Sequence, residues 1–399
     1  MYILTLNCRT YTARYQLFNP ATRTVAARGR IERIELGDSF LTVETRDGKR
    51  TVVEADCPDV ATALGTLLEV LFAVKPRLVG GMGDICAVAH RVTHGGERFT
   101  AATFISPEVL AAVRDCADLA PRHTLPNIAG IEAALRLFPA VPHVAVFDTA
   151  FHQTMPEHAY LYPLPYAWYS EYGVRRYGFH GASHRHALLK GAEILGKEPA
   201  ACNLVTVHVG VGVSLCAIRG GCSVDTSMGF TPLEGAVMET RCGDIDPGLV
   251  PFIMQEKHLS PREVEGVLNQ KSGVLGITGS CATRKAMLSG AVDGDERCLL
   301  ALEISAYRLR KYIGAYCAVI GRLDAVIFVS ATDGSDWPVR EKALAEMEAF
   351  GIILDPLRNR CGSDTSHRVS ADASPVKVFV IPTDEEQILS EEALVLLEQ

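Results

Sequence analysis

The sequence lacks a long hydrophobic run, a basic excess and a recognisable export leader. No apolar stretch approaches the ~18–20 residues that cross a bilayer, so no membrane-spanning helix is expected. Lys and Arg number 39 against 47 Asp and Glu, a net charge of −8, which argues against a nucleic-acid-binding protein. The residues after Met1 lack the charged, apolar and small-residue regions of a signal peptide, so we expect a cytoplasmic protein.

The 12 cysteines also lack the spacing of a metal site or a disulfide framework. They include no Cys-x-x-Cys pair and no Cys/His cluster at zinc spacing. Most lie in apolar segments, where a thiol packs as a small hydrophobic group, and this favours a reducing compartment. Cys8 and Cys242 lie inside polar motifs, and we expect them to be the thiols most worth testing for reactivity.

What the sequence does contain is a core-forming chain, 48% hydrophobic over 399 residues, with repeated strand and helix patterns. Strands are predicted at 2–6 (ending at Asn7), 15–18, 29–36, 40–45, 50–54, 85–93, 143–147, 203–209, 213–218, 326–329 and 377–381. Helices are predicted at 58–74, 106–119, 127–138, 181–196, 247–257, 260–271, 294–320, 338–350 and 384–398. Strands followed by helices, occurring twice, indicate two α/β lobes with a cleft between them.

Four polar clusters between these elements carry the residue types of an anion site. They are residues 90–96 (HRVTHGG), 177–184 (YGFHGASH), 210–212 (GVG) and 240–247 (TRCGDIDP). Arginine forks, helix N-termini and glycine-flanked amides all bind phosphate or carboxylate groups. For residues 210–212 a tight hairpin explains the glycines about as well, and for 240–247 the alternative is a helix start with Asp246 as its N-cap.

Six segments together give a specific resemblance that covers nearly the whole chain. They are AHRVTHGGERFT (89–100), VFDTAFHQTMP (146–156), RRYGFHGASH (175–184), SVDTSMGFTPLEG (223–235), RCGDIDPG (241–248) and VIPTDEE (380–386). With them the chain resembles the acetate kinase family, including propionate kinase, within the actin, sugar kinase and Hsp70 superfamily. The resemblance implies an α/β fold of two RNase H-like (actin-like ATPase) lobes with a central cleft: residues 1–149 completed by 384–399, and residues 150–383, the nucleotide-side lobe.

The same resemblance implies an activity, its co-substrates and its site residues. It implies a homodimer that transfers the γ-phosphate of ATP reversibly to a short-chain carboxylate with Mg²⁺, giving an acyl phosphate. Catalytic positions fall on Arg91, Asp148, His180 and Arg241. Substrate-binding positions fall on Arg91, Thr93, Arg122, Phe179 and Pro232. Phosphate and nucleotide positions fall on Thr10, Thr12, Arg14, His123, His208, Gly210, Gly212 and Thr283, and the Mg²⁺ site on Asn7 and Glu385.

The sequence departs from the family pattern near these motifs. Arg9 replaces a glycine in the first loop, Val211 an asparagine in the phosphate turn, and Glu239 a glycine two residues before Arg241. The segment 329–335 replaces the family's Gly-Ile-Gly-Glu-Asn adenosine loop and retains one glycine.

The expected acid pocket differs as well. Thr93 and Arg122 stand where the family has apolar residues, and an unpaired arginine beside an apolar pocket is costly. Either Arg122 pairs with Glu239, or it binds a second carboxylate or a phosphate of a different substrate. Two alternatives to the ATP-dependent kinase therefore stay open. One is a catalytically impaired paralogue that acts as a binding or regulatory protein, and the other is a kinase with a different donor, such as pyrophosphate, or a different acid.

Overall fold

The computed structural model describes residues 1–73, 79–330, 335–362, 365–382 and 385–399. Its strands are β1 (Tyr2–Arg9), β2 (Thr12–Asn19), β3 (Thr24–Glu32), β4 (Phe40–Thr45), β5 (Arg50–Glu54), β6 (Ile85–Val92), β7 (Thr103–Phe104), β8 (His143–Phe147), β9 (Leu204–Val209), β10 (Val213–Arg219), β11 (Cys222–Thr226), β12 (Ala325–Ser330), β13 (His367–Arg368) and β14 (Lys377–Pro382). Its helices are α1 (Val60–Ala73), α2 (Pro107–Asp115), α3 (Pro121–Leu137), α4 (Glu157–Tyr160), α5 (Tyr166–Tyr172), α6 (Gly181–Leu195), α7 (Leu249–Lys257), α8 (Pro261–Gln270), α9 (Gly273–Thr278), α10 (Arg284–Val292), α11 (Glu296–Ile320), α12 (Trp337–Leu344), α13 (Pro356–Arg360) and α14 (Glu385–Leu397).

The strands form two mixed sheets, and the central strands of both sheets pair in the same order and directions. The first runs β5-β4-β3-β2-β1-β6-β8-β7, and its strands β1, β6 and β8 are parallel. The second runs β11-β10-β9-β12-β14-β13, and its strands β9, β12 and β14 are parallel. In the first sheet five strands joined by antiparallel pairing, β5 to β1, are followed by two parallel strands. In the second sheet three such strands, β11 to β9, are followed by two parallel strands, so the same core topology occurs twice.

The chain divides into two compact units, Met1–Ala150 with Asp384–Gln399, and Phe151–Thr383. In the first unit, α1 and α3 pack on one face of the sheet and α14 on the other. In the second unit, α11 packs on one face of the sheet and α6 on the other. Helices on both faces bury the parallel strands completely, which leaves the strand ends as the places where polar side chains reach a ligand. In the described part of the chain, no helix is both long and apolar enough to span a bilayer.

The expected end of the first strand at Asn7 was wrong. β1 continues to Arg9, Asn7 pairs with Arg14 of β2, and the chain reverses at residues 10–11. Local sequence suggests a break because asparagine is rare in strands, but the ladder to β2 supplies backbone hydrogen bonds that outweigh this preference.

Two expected helix starts were also wrong. α3 begins at Pro121 rather than at residue 127, because proline is well suited to the first position of a helix. Its first turn therefore contains Arg122 and His123. α7 begins at Leu249, and the Asp246 carboxylate instead accepts a 2.8 Å bond from the amide of Gly248 in the preceding turn. Strand β11 and helices α9 and α10 were not predicted.

Buried histidines in both units are kept neutral by their surroundings. His143 Nε2 lies 3.0 Å from a backbone carbonyl oxygen and donates to it, so Nδ1 of the same ring accepts the 3.0 Å bond from His90 Nε2. Burial lowers the pKa of both rings. Burial also lowers the pKa of His94 and of His152 to about 4, and that of His184 well below its ordinary value.

These rings make stability depend on pH. The unfolded chain binds protons at histidine below about pH 6.5, whereas the folded chain leaves His94 and His152 neutral down to about pH 4. Stability is therefore complete above about pH 6.5 and is lost progressively as the pH falls toward 4. We expect the unfolding midpoint to fall by more than ~5 °C between pH 7 and 5. Calorimetry in two buffers of different ionisation enthalpy should detect proton uptake on unfolding at pH 6. An unfolding midpoint that rises as the pH is lowered from 7 to 5 would contradict the low pKa values of these histidines.

Candidate active site

In the first unit, three parallel strands place polar residues at one edge of the sheet. Asn7 lies near the end of β1, Arg91 near the end of β6, and Asp148 directly after β8. Adjacent parallel strands deliver their carboxyl ends to the same edge, where α/β proteins bind ligands. The three side chains are in fact bonded to one another.

Arg91 holds this group together through a bidentate ion pair. Its Nε donates to Asp148 Oδ1 at 2.9 Å, its Nη2 to Asp148 Oδ2 at 2.5 Å, and its Nη1 to Asn7 Oδ1 at 3.2 Å. The Arg91 and Asp148 side chains are 13% and 4% exposed. Such a fork fixes the orientation of the guanidinium, which a single-point contact would leave free to rotate.

The charges of this pair are set by opposing effects. Burial disfavours charge on Arg91, but the carboxylates of Asp148 and Glu385 outweigh it and raise the pKa of Arg91. Burial raises the pKa of Asp148, and the nearby Arg91 acts in the opposite direction. The guanidinium is therefore a permanent cation in a nearly dry setting, where its attraction for an anion is strong.

The first turn of α14 brings two further carboxylates to this edge. Asn7 Nδ2 donates to Glu386 Oε1 at 3.3 Å, and Arg9 Nη2 pairs with Glu385 Oε2 at 3.5 Å. The Arg9 side chain, which stands where the family has a glycine, is thus directed into an ion pair. Asn7, Glu385 and Glu386 offer the amide and carboxylate oxygens that Mg²⁺ prefers. Among the described residues, no group of three or more His, Cys, Asp or Glu side chains is arranged to hold a metal ion.

The start of α3 places several expected ligand residues beside β1. Asn127 Nδ2 donates to the carbonyl oxygen of Cys8 at 2.7 Å, and its Oδ1 accepts from the amide of Thr93 at 2.9 Å. The hydroxyl of Thr10 donates to the carbonyl oxygen of Arg122 at 3.3 Å. Asn127 therefore fixes the loop after β6 against the first strand, although the sequence did not single it out.

The other predicted site residues of this unit lie on β2 and in the first turn of α3. Thr12 begins β2 and is half-buried, and Arg14 on the same strand is exposed and pairs with Asn7 in the ladder. His123 is half-buried in the first turn of α3, next to Arg122. The expected pairing of Arg122 with Glu239 stays a prediction.

In the second unit, His180 is held in an unusual backbone conformation directly before α6. Its φ of 58° lies in the left-handed region, which non-glycine residues seldom adopt. Its ring stacks on that of His208, with centroids 4.2 Å apart. His208 Nδ1 is in turn 2.8 Å from the hydroxyl of Ser183 in the first turn of α6. Strain of this kind persists only where the surrounding structure enforces it, and it is frequent at functional sites.

A chain of short hydrogen bonds lies behind the His180 ring. The Ser214 hydroxyl is 2.9 Å from His180 Nδ1 and 2.8 Å from His184 Nε2. His184 Nδ1 is 2.7 Å from the Thr206 hydroxyl. Since the low pKa of the buried His184 keeps it neutral, the direction of donation along this chain fixes which nitrogen of His180 carries the proton.

Arg241 and the His180 ring both lie against Gly212. A Cβ added to Gly212 would lie 2.7 Å from Arg241 Nη2 and 3.0 Å from His180 Cε1, so the glycine leaves room for both groups at the turn. Arg241 Nη1 donates to the carbonyl oxygen of Pro232 at 2.6 Å. Phe179, fully buried, accepts at its carbonyl from a buried histidine Nε2. Residues 210–212 also form a tight hairpin between β9 and β10, so the two interpretations of these glycines are compatible.

Glu239 has a structural partner that its sequence position did not indicate. Its Oε1 accepts a 2.9 Å bond from the amide of Arg284, the first residue of α10. The buried Arg284 side chain reaches the carbonyl oxygen of Gly210 at 3.5 Å. Thr283 caps α10 by accepting from the amide of Ala286 at 3.2 Å. The phosphate turn, Glu239 and the start of α10 are therefore one connected group.

The altered segment expected to contact adenosine is only partly observed. Ser330 ends β12, and its hydroxyl donates to Asp336 Oδ2 at 2.9 Å. Residues 331–334 lie outside the described residues.

The comparisons with known proteins agree across the whole chain. A profile of the acetokinase family matches residues 2–391. The chain is 52% identical over 400 residues to the acetate kinase of Geobacter metallireducens, covering 100% of this chain and 95% of that one. Its structure is similar to the crystal structure of Porphyromonas gingivalis acetate kinase, with a TM-score of 0.94, 39% identity and 99% coverage of both chains. A propionate kinase from Francisella tularensis is also similar, with a TM-score of 0.91, 32% identity and 98% coverage of both chains.

These findings confirm the α/β fold of two actin-like ATPase lobes and define a phosphotransferase with a carboxyl group as acceptor. The chain belongs to the acetokinase family. The prediction of an acetate kinase-type enzyme is confirmed, and the alternatives of an impaired paralogue or of a different donor are not favoured.

The hydrogen bonds around Ser214 predict that it positions His180. Ser214→Ala should lower kcat about 10-fold or more, a typical cost for removing a group that orients an active side chain, and should shift the pH profile of kcat with little change in KM. The nitrogen shifts of a histidine-labelled enzyme should report a changed tautomer of His180. Ser214→Thr, which retains the hydroxyl, should recover most of the rate. If Ser214→Ala lowers only the melting temperature, Ser214 has a merely structural role.

Proposed function

We propose that this enzyme transfers the γ-phosphate of ATP reversibly to a short-chain carboxylate such as acetate or propionate, giving an acyl phosphate. The observation that carries the proposal is the meeting of Arg241 and His180 at Gly212. A permanent cation, an imidazole and a side-chain-free turn suit the equatorial oxygens of a phosphoryl group, whose transfer requires mainly positioning and charge stabilisation.

The second unit supplies the groups for the phosphates in this proposal. Arg241 binds the transferring phosphoryl group, His180 stabilises its developing charge, and His208 orients His180 through ring stacking. The backbone of the turn at Gly210 and Gly212 approaches the phosphate oxygens, and Thr283 lies at the start of α10 on the nucleotide side. In this arrangement catalysis is electrostatic, and no covalent intermediate on the protein is needed.

The first unit supplies the groups for the acid and the metal. Arg91, oriented by its pairing with Asp148, binds the carboxylate, and Thr93 and Arg122 contribute polar contacts to the acid. From the resemblance, Phe179 and Pro232 are the residues proposed to supply apolar surface for the alkyl group. Thr10, Thr12, Arg14 and His123 contribute further phosphate contacts. Asn7 and Glu385 would hold Mg²⁺, which neutralises charge on the ATP phosphates when bound.

The proposals for the oligomeric state and the cellular compartment rest on the resemblance to the family. We propose a homodimer in the cytoplasm, which analytical ultracentrifugation of the purified protein tests for the oligomeric state. A monomer at micromolar concentration would contradict the first of these expectations.

The proposal predicts the effect of removing one cation. Arg241→Ala should lower kcat about 10³-fold, the scale on which an arginine that stabilises phosphoryl transfer acts. The acyl phosphate is measured as its hydroxamate with Mg²⁺, ATP and acetate or propionate. Arg219→Ala removes an exposed arginine at the end of β10 and is the matched control, which should retain the wild-type rate.

The same assay separates the donors. Pyrophosphate in place of ATP should give no signal. If the wild-type protein forms no hydroxamate with ATP and any short-chain acid, the proposal is overturned. If hydroxamate forms with pyrophosphate alone, pyrophosphate and not ATP is the phosphoryl donor. Equal rates for Arg241→Ala and Arg219→Ala would remove Arg241 from the reaction.

A further inference from the structure

Two of the scattered cysteines are in direct contact. Cys281 lies in the connection between α9 and α10, and Cys298 lies in the first turn of α11. Their sulfur atoms are 3.5 Å apart, although 17 positions separate them in the sequence. A disulfide needs a sulfur separation of about 2.0 Å, so closure requires an approach of only about 1.5 Å.

The surroundings of the pair fix Cys298 and leave Cys281 accessible. Cys298 is 3% exposed, its amide donates to the capping carboxylate of Asp295 at 2.7 Å, and a Cβ on Gly290 would lie 2.6 Å from its sulfur. Cys281 is only partly buried, and its amide is tied to the hydroxyl of Thr278 at 3.0 Å. An oxidant therefore reaches Cys281 first, and Cys298 is the fixed partner behind it.

We propose that Cys281 and Cys298 form a reversible redox site, which peroxides close to an intrachain disulfide. The thiolate of Cys281 attacks one oxygen of hydrogen peroxide, the O–O bond breaks, and a sulfenic acid forms. The leaving hydroxide takes up the proton that the Cys281 thiol released and becomes one water. The sulfur of Cys298 then attacks the sulfenic sulfur, the S–O bond breaks, and the leaving hydroxide takes the Cys298 proton as a second water. Two thiols lose two electrons in total, which reduce one peroxide, and a dithiol reductant reverses the change.

The position of Cys281 connects this chemistry to the active site. Thr283 and Arg284 follow it directly, and the amide of Arg284 holds Glu239, two residues before Arg241. Movement of the connection toward α11 therefore displaces the start of α10 and the group that it anchors. Closure of the disulfide should slow phosphoryl transfer, a part of the inference that rests on the proposed function.

Other thiols are less suited to this role. Cys8, expected to be reactive, is buried in β1, and burial raises its pKa to about 12. Burial also raises the pKa of Cys242. Reactivity requires an accessible thiolate, and sequence position alone did not reveal that Cys281 has a resolving partner.

Peptide mapping tests the disulfide without any activity measurement. The purified enzyme is treated with hydrogen peroxide, blocked with an alkylating agent and digested with trypsin. Residues 272–284 and 298–308 form two tryptic peptides with one cysteine each. They should appear as a linked pair that dithiothreitol separates. Cys281→Ser and Cys298→Ala should abolish the linkage, whereas Cys222→Ser, which removes an exposed thiol on β11, should retain it. Absence of the linked pair in the wild type would overturn the proposal.

Activity before and after oxidation tests the connection to the site. The wild type and Cys222→Ser should lose about 10-fold in kcat/KM for ATP on oxidation, because a displacement of about 1 Å can cost up to ~100-fold. Dithiothreitol should restore the rate, and Cys281→Ser should keep it throughout. A linked pair without loss of rate would overturn the coupling, and an equal loss in Cys281→Ser would assign the sensitivity to another thiol. An enzyme inactive even when reduced would count against the proposed function, while the peptide map would still decide the redox site.

Discussion

The parallel pairing at the centre of each sheet is the constraint on which the rest of the molecule depends. β1, β6 and β8 run in the same direction, as do β9, β12 and β14, and helices cover both faces. Buried faces disfavour charged side chains, so the charged residues of the parallel strands lie near the strand ends, as Arg91 does at the carboxyl end of β6. Arg91 and Asp148 meet there in one unit, and His208 at the end of β9 meets His180 in the other.

The net charge of −8 does not show that cationic side chains lie together at particular places in this protein. The cation of Arg91 is oriented by a buried carboxylate, and Arg241 is oriented by a backbone carbonyl. The buried histidines add no charge, because burial makes their protonated form costly, and they serve as neutral hydrogen-bonding groups. Because the buried charge of Arg91 is paired with Asp148, the fold tolerates this anion-binding group inside an acidic protein.

The fold class could be predicted from the sequence, and the motifs supplied the residues of the proposed site, but the local settings of those residues could not be predicted. Alternating and helical patterns identified most strands and long helices, and the motifs identified Arg91 and His180. The strand end at Asn7 was wrong because pairing with β2 outweighed a local preference. Asn127 and Ser214 were missed as positioning residues because each acts through a partner distant in sequence, at Cys8 and at His184.

The sequence by itself determined the family and the type of reaction, because the residues that carry the resemblance occur as contiguous motifs with a recognisable order. Only the tertiary structure decided which groups act together. It joined Glu239 to the start of α10, where a helix lacks internal partners for its first amides. It also brought Cys281 against Cys298. Such contacts join residues on different elements, and their geometry is set by the packing of whole helices and strands, which local sequence does not encode.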